Sequence, residues 1–229
     1  MPNWRPLRLF LLGVLAALSL CAVCSNGYWL AAQAYLRFAQ EQWPWPEARP
    51  VARQAAEIAI RLQPFSAKAR QQQAINSLLL GEDERALSEY EAALLRAPAD
   101  AFLWRDYALA LLHAGHRDSR LALAVSQAQS WGSRSSTIQL SLAIAGLKSF
   151  PLSDPPLRAL WMKSIRYAYW DQPGAVLQAA YLSEQELVLC DSVILEPGTN
   201  PWCRAARWRH GECAGKDSSK GACGAESTP

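Results

Sequence analysis

The fold is decided by residues 67–100, AKARQQQAINSLLLGEDERALSEYEAALLRAPAD. Two apolar-periodic runs flank Gly81, and each meets a helix-stop signal, the glycine for the first and Pro98 for the second. Sliding the chain by 34 residues aligns Ala52 with Ala86, Ala59 with Ala93, Pro64 with Pro98, Ala74 with Ala108, and Gly81 with Gly115, without a gap. The chain holds 39 alanines, so the weight falls on the Pro and Gly pairs. Ser66 and Asp100, also 34 apart, each follow their Pro by two residues and precede an apolar-periodic run, which is the N-cap placement for a new helix. The spacing predicts an all-α chain built from helical hairpins.

This unit resembles the tetratricopeptide repeat, a helix–turn–helix of the same period with small residues at fixed packing positions, a Gly-favoured turn and a terminal Pro. In the best copy Ala74 takes the small position of the first helix, Gly81 the turn, Ala86, Tyr90 and Ala93 the second-helix positions, and Pro98 the stop. The next copy supplies Trp104, Tyr107, Ala108, Leu111 and Gly115, but Ala122 and Ala124 lie seven and nine residues past the glycine where five is expected. The preceding copy keeps its second helix through Ala52, Ala56, Ala59 and Pro64, and its first-helix segment is Ala34 to Trp43. Gln73 and Ser77 replace usual apolar residues. The resemblance implies an α-solenoid of about three to four hairpins, with the divergent repeats over residues 34–134; a non-repetitive helical bundle is the alternative. Leu78, Leu87, Leu94, Leu103 and Leu111 would pack between neighbouring pairs, because no single pair can bury its apolar stripe alone.

The resemblance also implies a ligand surface. The first helix of each pair would line a concave groove, which here carries Lys68, Gln71, Ile75, Phe102, Arg105 and Leu109. Ile75 and Leu109 stand where relatives that clamp a terminal carboxylate carry Asn, so a chain-terminal ligand is not implied. Ile75 and Phe102 suit packing between helices equally well.

Ahead of the repeats, Leu9 to Leu36 is a run of 28 residues without a charge, about 42 Å long as a helix and sufficient for a hydrocarbon core of about 30 Å. Trp4 ahead of it and Tyr28–Trp29 toward its far end stand as interfacial aromatics on the two sides of the span, and Arg5 and Arg8 before it favour a cytoplasmic start. Residues 1–33 thus read as a cytoplasmic start and single-pass inner-membrane anchor, with the remainder periplasmic. A cleaved signal peptide ending near Ala22-Val23-Cys24 is the competing reading.

Residues 135–203 form a helical extension. Thr137 to Phe150 has helical spacing closed by Pro151, and Asp154-Pro155-Pro156 opens a helix with Leu157, Leu160, Trp161, Ile165 and Ala168 as its buried stripe. A segment from Pro173 to about Cys190 contains Ser183 and Glu186 in capping-box spacing. Trp161, Tyr167, Tyr169 and Trp170 are expected to be buried more than sugar-stacking. From Arg204 to Pro229 the composition predicts disorder.

Chemistry is sparse. The chain is 51% apolar and 19% charged with a net charge of +3, too little basic excess for a nucleic-acid footprint. There is no Gly-x-Ser-x-Gly, no phosphate-cradling Gly loop and no catalytic carboxylate pair, so no enzyme and no cofactor are expected. Cys21 and Cys24 read as small core thiols. Cys190, Cys203, Cys213 and Cys223 lie where oxidation is permitted; Cys190–Cys203 is the preferred disulfide, although four Cys allow three complete pairings. His113 and His116 lack further ligands and read as a solvated helix end rather than a metal site. Glu82, Asp83 and Glu84 read as an exposed charged turn before a helix.

The expectation is a non-catalytic, membrane-tethered scaffold that engages a protein partner in cell-envelope assembly. The succession of anchor, repeats, Trp161 helix, Cys190 and Trp202-Cys203 also resembles accessory proteins of bacterial exopolysaccharide biosynthesis. An envelope thiol-redox factor using Cys190 or Cys203, and a glycan-binding protein, are the alternatives.

Overall fold

The computed structural model describes residues 5–42 and 44–211, and for residues 5–18, 20 and 21 the backbone alone. Among the described residues there are eleven α-helices and no strand, so the chain is all-α. They gather into two compact units, Met1–Ala99 and Asp100–Pro229, and the division falls inside the stretch that the 34-residue spacing groups together.

The first unit contains α1 (Arg5–Gln42), α2 (Arg49–Leu62), α3 (Ala67–Leu79) and α4 (Asp83–Leu94). Helix α2 returns antiparallel along α1. Ala39 packs with Ala52, Ala55 and Ala56, and farther back along α1, Ala32 and Leu36 pack with Ala59 and Ala69. Alanine at these crossings presents only a methyl group, so the backbones can approach closely. Helix α3 begins at Ser66, whose hydroxyl accepts from the Ala69 amide at 3.2 Å. It ends in a Schellman turn: Glu82 N–H donates to Ser77 O and Gly81 N–H to Leu78 O, with Gly81 at φ +74°, which a residue without Cβ adopts at no cost.

Gln73 and Ser77, the polar residues at usually apolar places, are fully buried. Gln73 donates to Glu57 at 3.4 Å, while its Oε1 and the Ser77 Oγ find no partner. Neighbouring Asn76 donates to the Ala52 carbonyl at 3.2 Å. Glu82 corrects the exposed-turn expectation: it pairs with Arg53 at 2.6 Å and Arg85 at 3.4 Å, and Arg85 also reaches Glu57 at 3.0 Å. The acidic turn therefore belongs to a network with α2 rather than to the helix dipole alone.

The second unit contains α5 (Ala101–His113), α6 (Ser119–Trp131), α7 (Ser136–Ser149), α8 (Pro155–Asp171), α9 (Pro173–Leu182), α10 (Glu186–Ser192) and α11 (Pro201–Arg209). Asp100 caps α5 through the Phe102 and Leu103 amides, and Gly115 at φ +81° repeats the turn of Gly81, with His116 N–H donating to Leu111 O. Helix α6 starts two residues later relative to its glycine than α4 does, which places Ala124 and Ala128 in the core and leaves Ala122 half-buried. The late start coincides with the Asp118 cap, whose side chain accepts from the Arg120 amide at 2.9 Å. A hydrogen bond from the Arg120 side chain holds the Asp118 carboxyl below the usual carboxylate range. This contribution is therefore present at neutral pH and fades as pH falls through the depressed value.

The small positions are tight. Ala86 and Ala93 are fully buried, so Ala86→Leu or Ala93→Leu is expected to destabilise by about 1–3 kcal/mol through overpacking, read by urea denaturation of the full chain. A loss below a few tenths would show that the crossing has room.

Three expectations are corrected. Between α9 and α10, Ser183 closes α9 by donating to Ala179 O at 2.6 Å and Glu184 turns the chain at φ +57°. The Ser183–Glu186 capping box therefore does not form, and α10 has no side-chain cap. Helix α11 continues to Arg209 where disorder was expected from Arg204. Asn200 caps it, Pro201 opens it, and the Cys190–Cys203 disulfide joins it to α10. Residues 212–229, including Cys213 and Cys223, lie outside the described residues. Cys24 is exposed rather than a core thiol, and Cys21 lies where side chains are not described.

Among the described residues no helix is long and apolar enough to cross a membrane. Within the apolar run Leu9–Leu36, the backbone alone is described for residues 9–18, 20 and 21.

Candidate functional site

Helices α5 and α7, the first helices of consecutive hairpins, pack side by side. Between them opens a cleft of about 570 Å³. Leu109 and Leu112 from α5 and Ile144 and Ala145 from α7 supply its apolar wall. His113, Arg117 and Lys148 stand on its rim, and no acidic residue lines it. Lys148 follows Ile144 by one helical turn, as His113 follows Leu109, so each helix offers an apolar group and then a basic or imidazole group on one face. His116, part of the expected solvated helix end, has its Nδ1 3.2 Å from an Arg120 guanidinium nitrogen.

The six residues expected to line a groove divide between the units. Leu109 lines the α5–α7 cleft. Phe102 is exposed and carries the Arg105 guanidinium 5.1 Å from its ring centroid, while Arg105 Nε donates to Asp106 at 2.8 Å, so this pair is engaged with its neighbours. In the first unit Lys68 is exposed on α3, and Gln71 and Ile75 are half-buried. The rim residues Arg117 and Lys148 escaped sequence reasoning because they are 31 positions apart and only hairpin stacking unites them; the repeated i, i+4 spacing was the available signal.

A second polar cluster gathers around Glu186, 2% exposed at the start of α10. Its carboxylate meets Arg209 at 3.0 Å and His210 at 2.9 Å, both from the end of α11. Arg209 also lies over the Tyr181 ring, 4.8 Å from its centroid. With Arg207 paired to Asp191 at 2.7 Å, these contacts clamp α11 onto α10 beside the disulfide.

The aromatic helix is divided. Trp161 is fully buried and donates to Ser153 Oγ at 3.2 Å, whereas Tyr167 is exposed and Trp170 is 69% exposed, against the expectation of burial for the group. Tyr169 meets Trp170 edge-on at 6.2 Å. Among the described residues no three His, Cys, Asp or Glu side chains are grouped to hold a metal.

Compared with known proteins, the chain matches no family model and no curated protein.

Proposed function

We propose that this protein is a non-catalytic helical-repeat scaffold of the tetratricopeptide type, tethered to the inner membrane by α1, with its hairpins in the periplasm. There it engages a protein partner in cell-envelope assembly, with exopolysaccharide biosynthesis as the narrower setting. The observation that carries the reading is the open α5–α7 cleft, apolar along its wall and basic at its rim. Such a surface suits a partner segment with apolar side chains and an acidic flank. Tethering is supported by the uncharged 28-residue run from Leu9 to Leu36.

The Cys190–Cys203 bond argues against a thiol-redox role for these residues, because both are buried and bonded while a redox cysteine needs accessible, ionisable sulfur. Photo-crosslinking from position 144 in intact cells is the direct test. A discrete protein adduct is expected there and not from exposed Leu195, and Arg117→Glu with Lys148→Glu should abolish it. An adduct indifferent to those charges, or none, removes the scaffold reading of this cleft. Glycan binding is kept as a second reading by exposed Trp170, whose fluorescence during polysaccharide titration would report it.

A further inference from the structure

The α2–α3 turn contains Phe65, whose side chain is 83% exposed although apolar residues of the same unit are buried nearby. Its place along α1 is fixed by the antiparallel packing of α2. Ala39 lies beside Ala52–Ala56, Ala32 and Leu36 beside Ala59, and Tyr28 and Trp29 line one cleft together with Leu62 and Phe65. Phe65 is therefore level with Tyr28 and Trp29, themselves 60% and 52% exposed. Twenty residues separate Leu9 from Trp29, about 30 Å of helix, which matches the hydrocarbon thickness. The exposed aromatics thus stand at the depth where amphipathic and aromatic rings settle.

Charge points the same way. From Ala59 through Gly81 there is no acidic residue. Arg70 is paired with Glu89 at 2.8 Å, while Arg61 and Lys68, on either side of the turn, are exposed. Apolar tip, flanking cations and absent carboxylates are what an anionic lipid surface attracts.

We infer that the α2–α3 turn is a second membrane contact: Phe65 inserts among the lipids beside the emerging α1, with Arg61 and Lys68 on anionic headgroups. The inference rests on α1 being the anchor. Two contacts on rigidly packed helices fix the orientation of the first unit against the bilayer, whereas one helix alone would leave it free to tilt.

The test uses the full chain in vesicles of phosphatidylcholine and phosphatidylglycerol, with benzoylphenylalanine placed singly at position 16, 45 or 65. Position 45 lies at the opposite end of α2, just past the end of α1 at Gln42, about 20 Å farther along α1 than Trp29. Lipid adducts are expected at 16 and 65 and not at 45. Arg61→Glu with Lys68→Glu should lower the yield at 65 roughly tenfold while sparing 16, as should omitting phosphatidylglycerol. An adduct at 16 without one at 65 overturns the docking and leaves the anchor standing. Absence at both positions overturns the anchor, and the docking with it. Equal yields at 45 and 65 also overturn the docking.

Discussion

Trp161→Ala is expected to destabilise the second unit by about 3–5 kcal/mol, the range for removing a fully buried Trp from a packed core. The indole packs against α7 at Gly146. A Cβ built on Gly146 would lie 2.9 Å from Trp161 Cβ and Cγ, so the glycine is present because the ring occupies its side-chain space. The indole N–H also donates to Ser153 Oγ, whose own hydroxyl donates to the Ser149 carbonyl, so truncation also removes a buried polar contact. Gly146→Leu alone should destabilise by about 1–3 kcal/mol, and the Gly146→Leu/Trp161→Ala double variant should recover part of the loss by refilling the gap. Urea denaturation followed by circular dichroism reads all three. A Trp161→Ala loss below about 1 kcal/mol, or a strictly additive double variant, would contradict the packing account.

Breaking Cys190–Cys203 has the second-largest expected effect. The bridge joins residues 13 apart and should contribute about 2–4 kcal/mol by restricting the unfolded chain. Its removal should act locally first. Helix α11 buries only Cys203 and Ala206, and its remaining hold on α10 is the pairing of Arg209 and His210 with Glu186 and of Arg207 with Asp191. Cys190→Ala/Cys203→Ala should therefore speed amide exchange throughout residues 201–209 while leaving α7 and α8 protected. Protection of α11 equal to that of the parent chain would show that the ion pairs suffice and the bridge is dispensable.

Local signals were legible where they act through the backbone. The caps at Ser66, Asp100 and Asp154, the left-handed glycines Gly81 and Gly115, and the stop before Pro151 depend on a few adjacent residues, and each appears at its expected place. The late start of α6 was equally visible as a displaced alanine pair. Ser183–Glu186 shows the limit: the spacing suits a cap, but Glu186 pairs with Arg209 and meets the His210 ring, both more than twenty positions away, and Ser183 closes the preceding helix. Composition misjudged residues 204–211 for the same reason, because few large apolar groups are needed when a disulfide and ion pairs hold a short helix.

By itself the sequence determined the helical hairpins and their 34-residue interval, because capping, turn handedness and apolar period are properties of neighbours along the chain. Only the tertiary structure decided which side chains share a surface: Leu109 with Ile144 and Lys148 in one cleft, Phe65 level with Trp29, and Glu186 beneath α11. Those juxtapositions depend on crossing points where alanine or glycine lets two backbones approach, and the distances that result are set by packing in three dimensions rather than by spacing along the chain.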